Sequence, residues 1–90
     1  MNNIEKAFNI MNTPRFLDSE SRLPLLLRHC QRTVADFVLG YDDFEGRWYA
    51  EGVYLCGGGQ PAYGESAEEA LANLVVNYDK WLTEMKHDVE

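Results

Sequence analysis

The 90-residue sequence has few of the residues that mark several common classes of protein. Its only cysteines, Cys30 and Cys56, are too few for a disulfide framework or a four-cysteine zinc site. No apolar run is long enough to span a bilayer, and no basic segment followed by an apolar one opens the chain as a signal peptide would. We therefore expect a cytoplasmic protein with reduced thiols and no membrane segment.

Basic residues are also scarce, with eight Lys and Arg against 15 Asp and Glu and a formal net charge of −7. They are scattered, apart from a local group formed by Arg22, Arg28 and Arg32. Because an acidic chain is repelled by phosphate backbones, direct binding of nucleic acid is not expected. The acidity favours solubility, or alternatively attraction to a basic partner such as the nucleic-acid-binding groove of another protein.

No set of residues has the spacing of a catalytic or metal centre. His29 and Cys30 are adjacent, and neighbouring positions on a helix point about 100° apart, so they do not form a nucleophile–base pair by themselves. The acidic turn of Asp42, Asp43 and Glu45 lacks the spacing of a calcium loop. We therefore expect no enzymatic activity, no cofactor and no metal site.

The triple glycine Gly57–Gly59 is the other candidate for chemistry. Residues 60–65 separate it from the next predicted helix, and no P-loop lysine follows. A flexible loop is the favoured interpretation. A small-ligand or nucleotide site on Gly57–Gln60, with backbone N–H groups and Gln60 as donors, remains an alternative hypothesis.

The N-terminal part of the chain predicts two helices. Ile4, Phe8 and Met11 have helical spacing within residues 3–12, and Thr13-Pro14 ends that segment. A second apolar stripe predicts a helix over residues 22–32, with Pro24 in its first turn. The residue types suited to its N-cap are Asp18, Ser19 and Ser21, and the stripe consists of Leu23, Leu26, Leu27 and Cys30.

The rest of the chain predicts a small sheet followed by a long helix. Residues 33–41 and 47–55 form an antiparallel hairpin around the turn 42–46, and residues 62–64 add a short third strand. Ser66 and Glu69 form a capping box that opens a helix whose apolar stripe runs to Met85. The predicted fold is one α+β domain over residues 1–90, a three-stranded antiparallel sheet with N-terminal helical segments and a long C-terminal helix.

Aromatic residues are concentrated in the predicted sheet. We assign one face of the second strand to the core, namely Trp48, Ala50, Gly52 and Tyr54. A domain of this size is not expected to bury every aromatic in the region, and Tyr and Trp are common at interfaces. The aromatic residues are Phe37, Tyr41, Phe44, Trp48, Tyr49, Tyr54 and Tyr63. Either the N-terminal helices cover the second face of the sheet, or that face is an open binding surface.

Two resemblances extend this interpretation. Residues 47–82, with Gly64-Glu65-Ser66 and Glu68-Glu69-Ala70-Leu71, resemble the hairpin, short strand and helix of HicB-type antitoxins. The layout of the whole chain is similar to small phage-encoded proteins with an α-β-β-β-α sandwich. By analogy of size and charge, compact acidic phage proteins of this kind include inhibitors of host defence, anti-CRISPR proteins among them. The first resemblance implies neutralisation of a small toxin, and the second implies a viral inhibitor in the cytoplasm of the host cell.

The function predicted from the sequence is therefore that of a small acidic, non-enzymatic binding protein. The main hypothesis is a phage protein that inhibits a host defence complex by protein–protein contacts, in the manner of an anti-CRISPR protein. A HicB-like antitoxin and a small-ligand binder are the alternatives. The predicted binding surface consists of Tyr41, Asp42, Asp43, Phe44, Glu45, Tyr49 and Glu51.

Overall fold

The computed structural model describes residues 2–12, 19–54 and 59–89. In chain order these residues form α1 (Asn3–Ile10), α2 (Ser19–Thr33), β1 (Ala35–Asp42), β2 (Arg47–Val53), β3 (Ala62–Gly64) and α3 (Ala67–Val89). The strands form one antiparallel sheet in the order β1-β2-β3. The predicted α+β class and its arrangement of elements are confirmed.

Helix α1 is a short helix with a defined cap at each end. The Asn2 side chain accepts a hydrogen bond from the backbone N–H of Glu5 at 2.9 Å. The helix ends where Asn12 adopts a left-handed conformation with φ of 57°, which asparagine tolerates better than most residues. It therefore ends at Ile10 rather than at the predicted residue 12, and its buried residues are Ala7 and Phe8.

Helix α2 begins three residues earlier than predicted, at Ser19 rather than residue 22. Ser19 and Ser21 therefore lie inside the helix instead of capping it, and Asp18 lies outside the described residues. Pro24 lies in the second turn rather than the first, so the bond that its nitrogen would donate to the carbonyl of residue 20 is absent. The earlier start is compatible with packing because Leu26 and Cys30 remain fully buried.

The hairpin is closed by a four-residue turn over residues 43–46, with Asp42 paired to Arg47. One carboxylate oxygen of Asp42 accepts the backbone N–H groups of Phe44 and Glu45, at 3.0 and 3.1 Å. Gly46 closes the turn at a φ of +70°, where a residue without Cβ is favoured. The predicted hairpin is confirmed, although Thr33 belongs to α2 and β2 ends at Val53.

Helix α3 begins where predicted and packs along its apolar stripe. The Ser66 hydroxyl accepts the backbone N–H of Glu69 at 3.1 Å, which is the serine half of the capping box. The side chains of the stripe that are buried include Ala70, Leu71, Leu74 and Tyr78. An Asn73 amide donates to the Tyr63 carbonyl and accepts from Asn3, which ties α1, α3 and β3 together.

All three helices lie on one side of the sheet. Helix α3 packs against β2 and β3, while α1 and α2 pack against α3. Ala50 and Tyr54, which were assigned to the core with Trp48 and Gly52, are buried beneath α3, and Trp48 packs against the same core. Within the described part of the chain, the N-terminal helices therefore leave the second face of the sheet uncovered.

Candidate functional site

The uncovered sheet face, which we call the outer face, consists of the β-strand side chains directed away from the helices. Its central row runs from Gly40 through Tyr49 to Tyr63, which are direct cross-strand neighbours. The next row pairs Val38 with Glu51. Val38 and Tyr63 are exposed, as is Glu51. The outer face therefore presents an aromatic centre with a carboxylate beside it.

The position of Tyr49 depends on the absence of a side chain at Gly40. A Cβ added to Gly40 would lie 2.6 Å from the Tyr49 hydroxyl oxygen and 2.9 Å from Cε1. The Tyr49 ring therefore lies against the backbone of β1 at Gly40, and Tyr49 is half-buried. Aromatic packing over a cross-strand glycine of this kind stabilises a strand that would otherwise be weakened.

The ring of Tyr63 is covered by an arginine side chain of the same sheet. The guanidinium carbon of Arg47 lies 3.7 Å from the centroid of the Tyr63 ring, a close cation–π contact between β2 and β3. Arg47 and Tyr63 are both exposed, so this contact lies on the solvent side of the sheet.

The hairpin tip is the most exposed apolar feature of the described chain. The side chain of Phe44 is 95% exposed, more than any other large hydrophobic residue described. Asp43 and Glu45 on either side of it are also exposed. The turn beneath is held by Asp42, so Phe44 projects from an ordered loop.

The structure brings most of the predicted binding residues together. Six of the seven border one open concavity of about 520 Å³, which is also bordered by Pro61 and Tyr63; the six are Tyr41, Asp42, Asp43, Phe44, Tyr49 and Glu51. Glu45 lies at the tip outside this concavity. The Tyr41 ring packs edge-on against Trp48, 5.4 Å between centroids, so it belongs to the margin of the helix side rather than to the outer face.

Sequence reasoning missed Pro61 and Tyr63 as members of this surface. Tyr63 was predicted to lie in a short strand, but strand alternation alone does not give the register that sets Tyr63 opposite Tyr49. Pro61 lies directly before β3, outside any strand, so no alternation of apolar and polar residues indicated which face it would join.

The hairpin that carries this surface is strongly acidic. Residues 35–53 contain five acidic residues (Asp36, Asp42, Asp43, Glu45 and Glu51) against Arg47, which gives a net charge of −4 from five minus one. Within the described residues, the carboxylates of Asp43, Glu45 and Glu51 accept no hydrogen bond and form no ion pair. Their negative charge is therefore presented to solvent and to any partner.

The cysteine and histidine of α2 are not arranged for catalysis. Cys30 is buried, with its thiol 3.8 Å from the Leu71 carbonyl oxygen, and burial raises the pKa of this thiol to about 12. Burial, and then the neighbouring Arg32 guanidinium, lower the pKa of His29. A thiol with such a pKa stays protonated at neutral pH and is a poor nucleophile. Cys56 lies outside the described residues.

Only part of the glycine loop lies within the described part of the chain. Residues 57 and 58 lie outside it, while Gly59 and Gln60 are exposed and border an open concavity of about 470 Å³ together with Tyr54 and Trp81. Arg22 forms an ion pair with Glu68 at 2.9 Å, so part of the positive charge of the predicted group of Arg22, Arg28 and Arg32 is neutralised within the chain. Among residues 2–12, 19–54 and 59–89, no three His, Cys, Asp or Glu side chains come close enough to hold a metal ion.

Comparison with known proteins does not assign the chain to a family. No family model matches the chain, and no curated protein or solved structure matches it. None of the described helices combines the length and apolar character needed to cross a bilayer.

Proposed function

We propose that this chain is a non-enzymatic binding protein that holds a partner protein against its hairpin tip and outer face. The observation that carries the proposal is the 95% exposure of Phe44 at the end of an ordered hairpin, next to a sheet face that no described helix covers. A large apolar side chain projected into water gains burial only when a partner covers it.

The surroundings of Phe44 support a binding role. Buried aromatic anchors carry much of the energy in protein interfaces, and a rim of polar groups usually surrounds them. Here Tyr49 and Tyr63 lie on the outer face, and exposed carboxylates flank the tip. The α3 side of the sheet is already occupied by the core, so the opposite side is the one available to a partner.

The proposed class of partner rests on the resemblance to small phage-encoded proteins and on the acidic charge of the chain. We propose a host protein or protein complex, with the chain acting as a phage-encoded inhibitor in the host cytoplasm, in the manner of an anti-CRISPR protein. Neutralisation of a small toxin, as the HicB resemblance implies, would use the same kind of contact with a different partner.

The proposal is tested by capturing partners from a lysate of the cell in which the gene is expressed, using the full chain as bait. Proteins bound by the wild type are quantified against those bound by Phe44→Ala. Leu23→Ala serves as the control, because Leu23 is an exposed apolar residue that belongs to α2 and not to the hairpin. We expect at least one protein to be retained by the wild type and the control and lost by Phe44→Ala; identical retention by all three would contradict the proposal.

A further inference from the structure

We propose that the outer face binds an arginine-bearing segment of the partner protein, with a guanidinium over the ring of Tyr49 and between the carboxylates of Glu51 and Asp43. This inference rests on the proposed function and specifies the chemistry of the partner. The surface is defined by Asp42, Asp43, Tyr49, Glu51 and Tyr63, which border one concavity.

The first support is the aromatic row. Tyr49 and Tyr63 are direct neighbours across β2 and β3, and the ring of Tyr63 already carries the Arg47 guanidinium at 3.7 Å. The chain thus shows on its own surface how this row accepts a planar cation. Tyr49 lies across Gly40, and no cation of the described residues is placed over its ring. Guanidinium groups favour such positions because they stack on aromatic faces and are weakly hydrated.

The second support is the position of the carboxylates. Asp42 and Asp43 border the concavity at the hairpin end, and Glu51 lies two residues beyond Tyr49 on the same strand face. One oxygen of Asp42 is used by the turn, whereas the carboxylates of Asp43 and Glu51 have no partner among the described residues. A guanidinium over Tyr49 would share the concavity with both carboxylates, which are available for charge-assisted hydrogen bonds.

Charge complementarity selects this occupant over others. The hairpin has a net charge of −4, so a phosphate backbone or a second copy of the same acidic surface would be repelled. A purely apolar partner segment would bury the carboxylates of this surface without giving them hydrogen-bond or ionic partners, which costs free energy. A basic, arginine-bearing protein segment satisfies the aromatic and the acidic groups together.

The experiment uses a short synthetic peptide of alternating glycine and arginine as the probe. The full chain is titrated with it and followed by backbone amide NMR shifts and by calorimetry. A second peptide replaces every arginine with citrulline, which keeps the shape of the side chain and removes its charge. We expect shifts centred on residues 41–44, 49–51 and 62–63, and at least about tenfold weaker binding of the citrulline peptide, because the cation is the recognised group.

Two variants and a control locate the site. Glu51→Gln should weaken binding of the arginine peptide about two- to fivefold, which is the range expected for one exposed ion pair. Because the Glu51 side chain is exposed, the substitution should leave the fold intact. Tyr49→Leu should weaken it by a similar factor through loss of the cation–π contact. Glu84→Gln removes the same charge from an exposed position on α3 and should leave the affinity unchanged.

Each contrary result overturns the inference. These results are no binding of the arginine peptide, equal binding of the citrulline peptide, shifts confined to another surface, or equal losses from Glu51→Gln and Glu84→Gln. The outcome also separates the two proposals. If partner capture depends on Phe44 but the arginine peptide does not bind, the binding function stands and the cationic chemistry is wrong.

Discussion

Replacing Gly64 with alanine should destabilise the fold, because β3 and the first turn of α3 meet at this residue. A Cβ at Gly64 would lie 2.6 Å from the backbone nitrogen of Ala70 and 2.9 Å from the carbonyl carbon of Glu69. Both atoms belong to the helix backbone, so relief requires α3 to move away from the sheet. Overpacking of a rigid site typically costs 1–3 kcal/mol, and we expect about 2–3 kcal/mol here.

For a domain of this size, a loss of that magnitude should lower the Tm by roughly 10–20 °C. Urea unfolding, followed by far-UV circular dichroism, measures the free energy directly. Two glycine substitutions on the hairpin provide the comparison. At Gly46, with φ of +70° and nothing within 4 Å, alanine should cost about 1 kcal/mol from backbone strain.

At Gly40 the added methyl group meets the hydroxyl end of the Tyr49 side chain, which can move. Gly40→Ala should therefore cost less than about 1 kcal/mol, since no backbone atom has to shift. The expected order of destabilisation is Gly64, then Gly46, then Gly40. A stability of Gly64→Ala within about 0.5 kcal/mol of the wild type would refute the close approach of α3 to β3.

Three further results are expected. Leu71→Ala, at a fully buried position of α3, should lower the free energy of unfolding by about 2–5 kcal/mol in the same urea assay, and a loss under about 1 kcal/mol would place Leu71 outside the core. Phe44→Ala should change that free energy by less than about 0.5 kcal/mol, because its side chain is 95% exposed; a larger loss would mean that Phe44 packs within the fold. The folded-state pKa of Cys30 is raised from 9.0 to about 12, so its contribution to stability is complete below pH 9 and is lost between pH 9 and 12, by up to about 1.4 kcal/mol per pH unit. Urea titrations across that range should show a shallower decline for Cys30→Ala, and parallel curves for the two proteins would contradict the buried thiol.

Much of the fold could be predicted from local patterns. The capping serine and the apolar stripe specify α3, and the Asp42–Gly46 turn specifies the hairpin, because these signals act over a few residues. The start of α2 could not be predicted as well. Pro24 favoured a helix that begins near residue 22, because proline is tolerated in the first turn. The helix instead begins at Ser19, and Leu26 and Cys30 are still buried, so the packing accommodates the three additional N-terminal residues.

The candidate site could be predicted only in part. Phe44, Asp43 and Glu51 were placed in the predicted binding surface, and the structure leaves all three exposed. Tyr41 was grouped with Tyr49, yet the register sets it opposite Trp48 on the other face. The addition of Tyr63 depends on pairing between strands that are separated by a loop, which no local pattern determines.

The central claim is that a partner protein covers the hairpin tip and outer face, and affinity for a captured partner tests it most directly. The partner retained by the wild type is purified and titrated by calorimetry against the wild type, Phe44→Ala and Leu23→Ala. We predict that Phe44→Ala weakens binding at least about thirtyfold, the effect of losing an anchor worth about 2 kcal/mol, while Leu23→Ala binds as the wild type does. Equal affinities of the wild type and Phe44→Ala would contradict the claim.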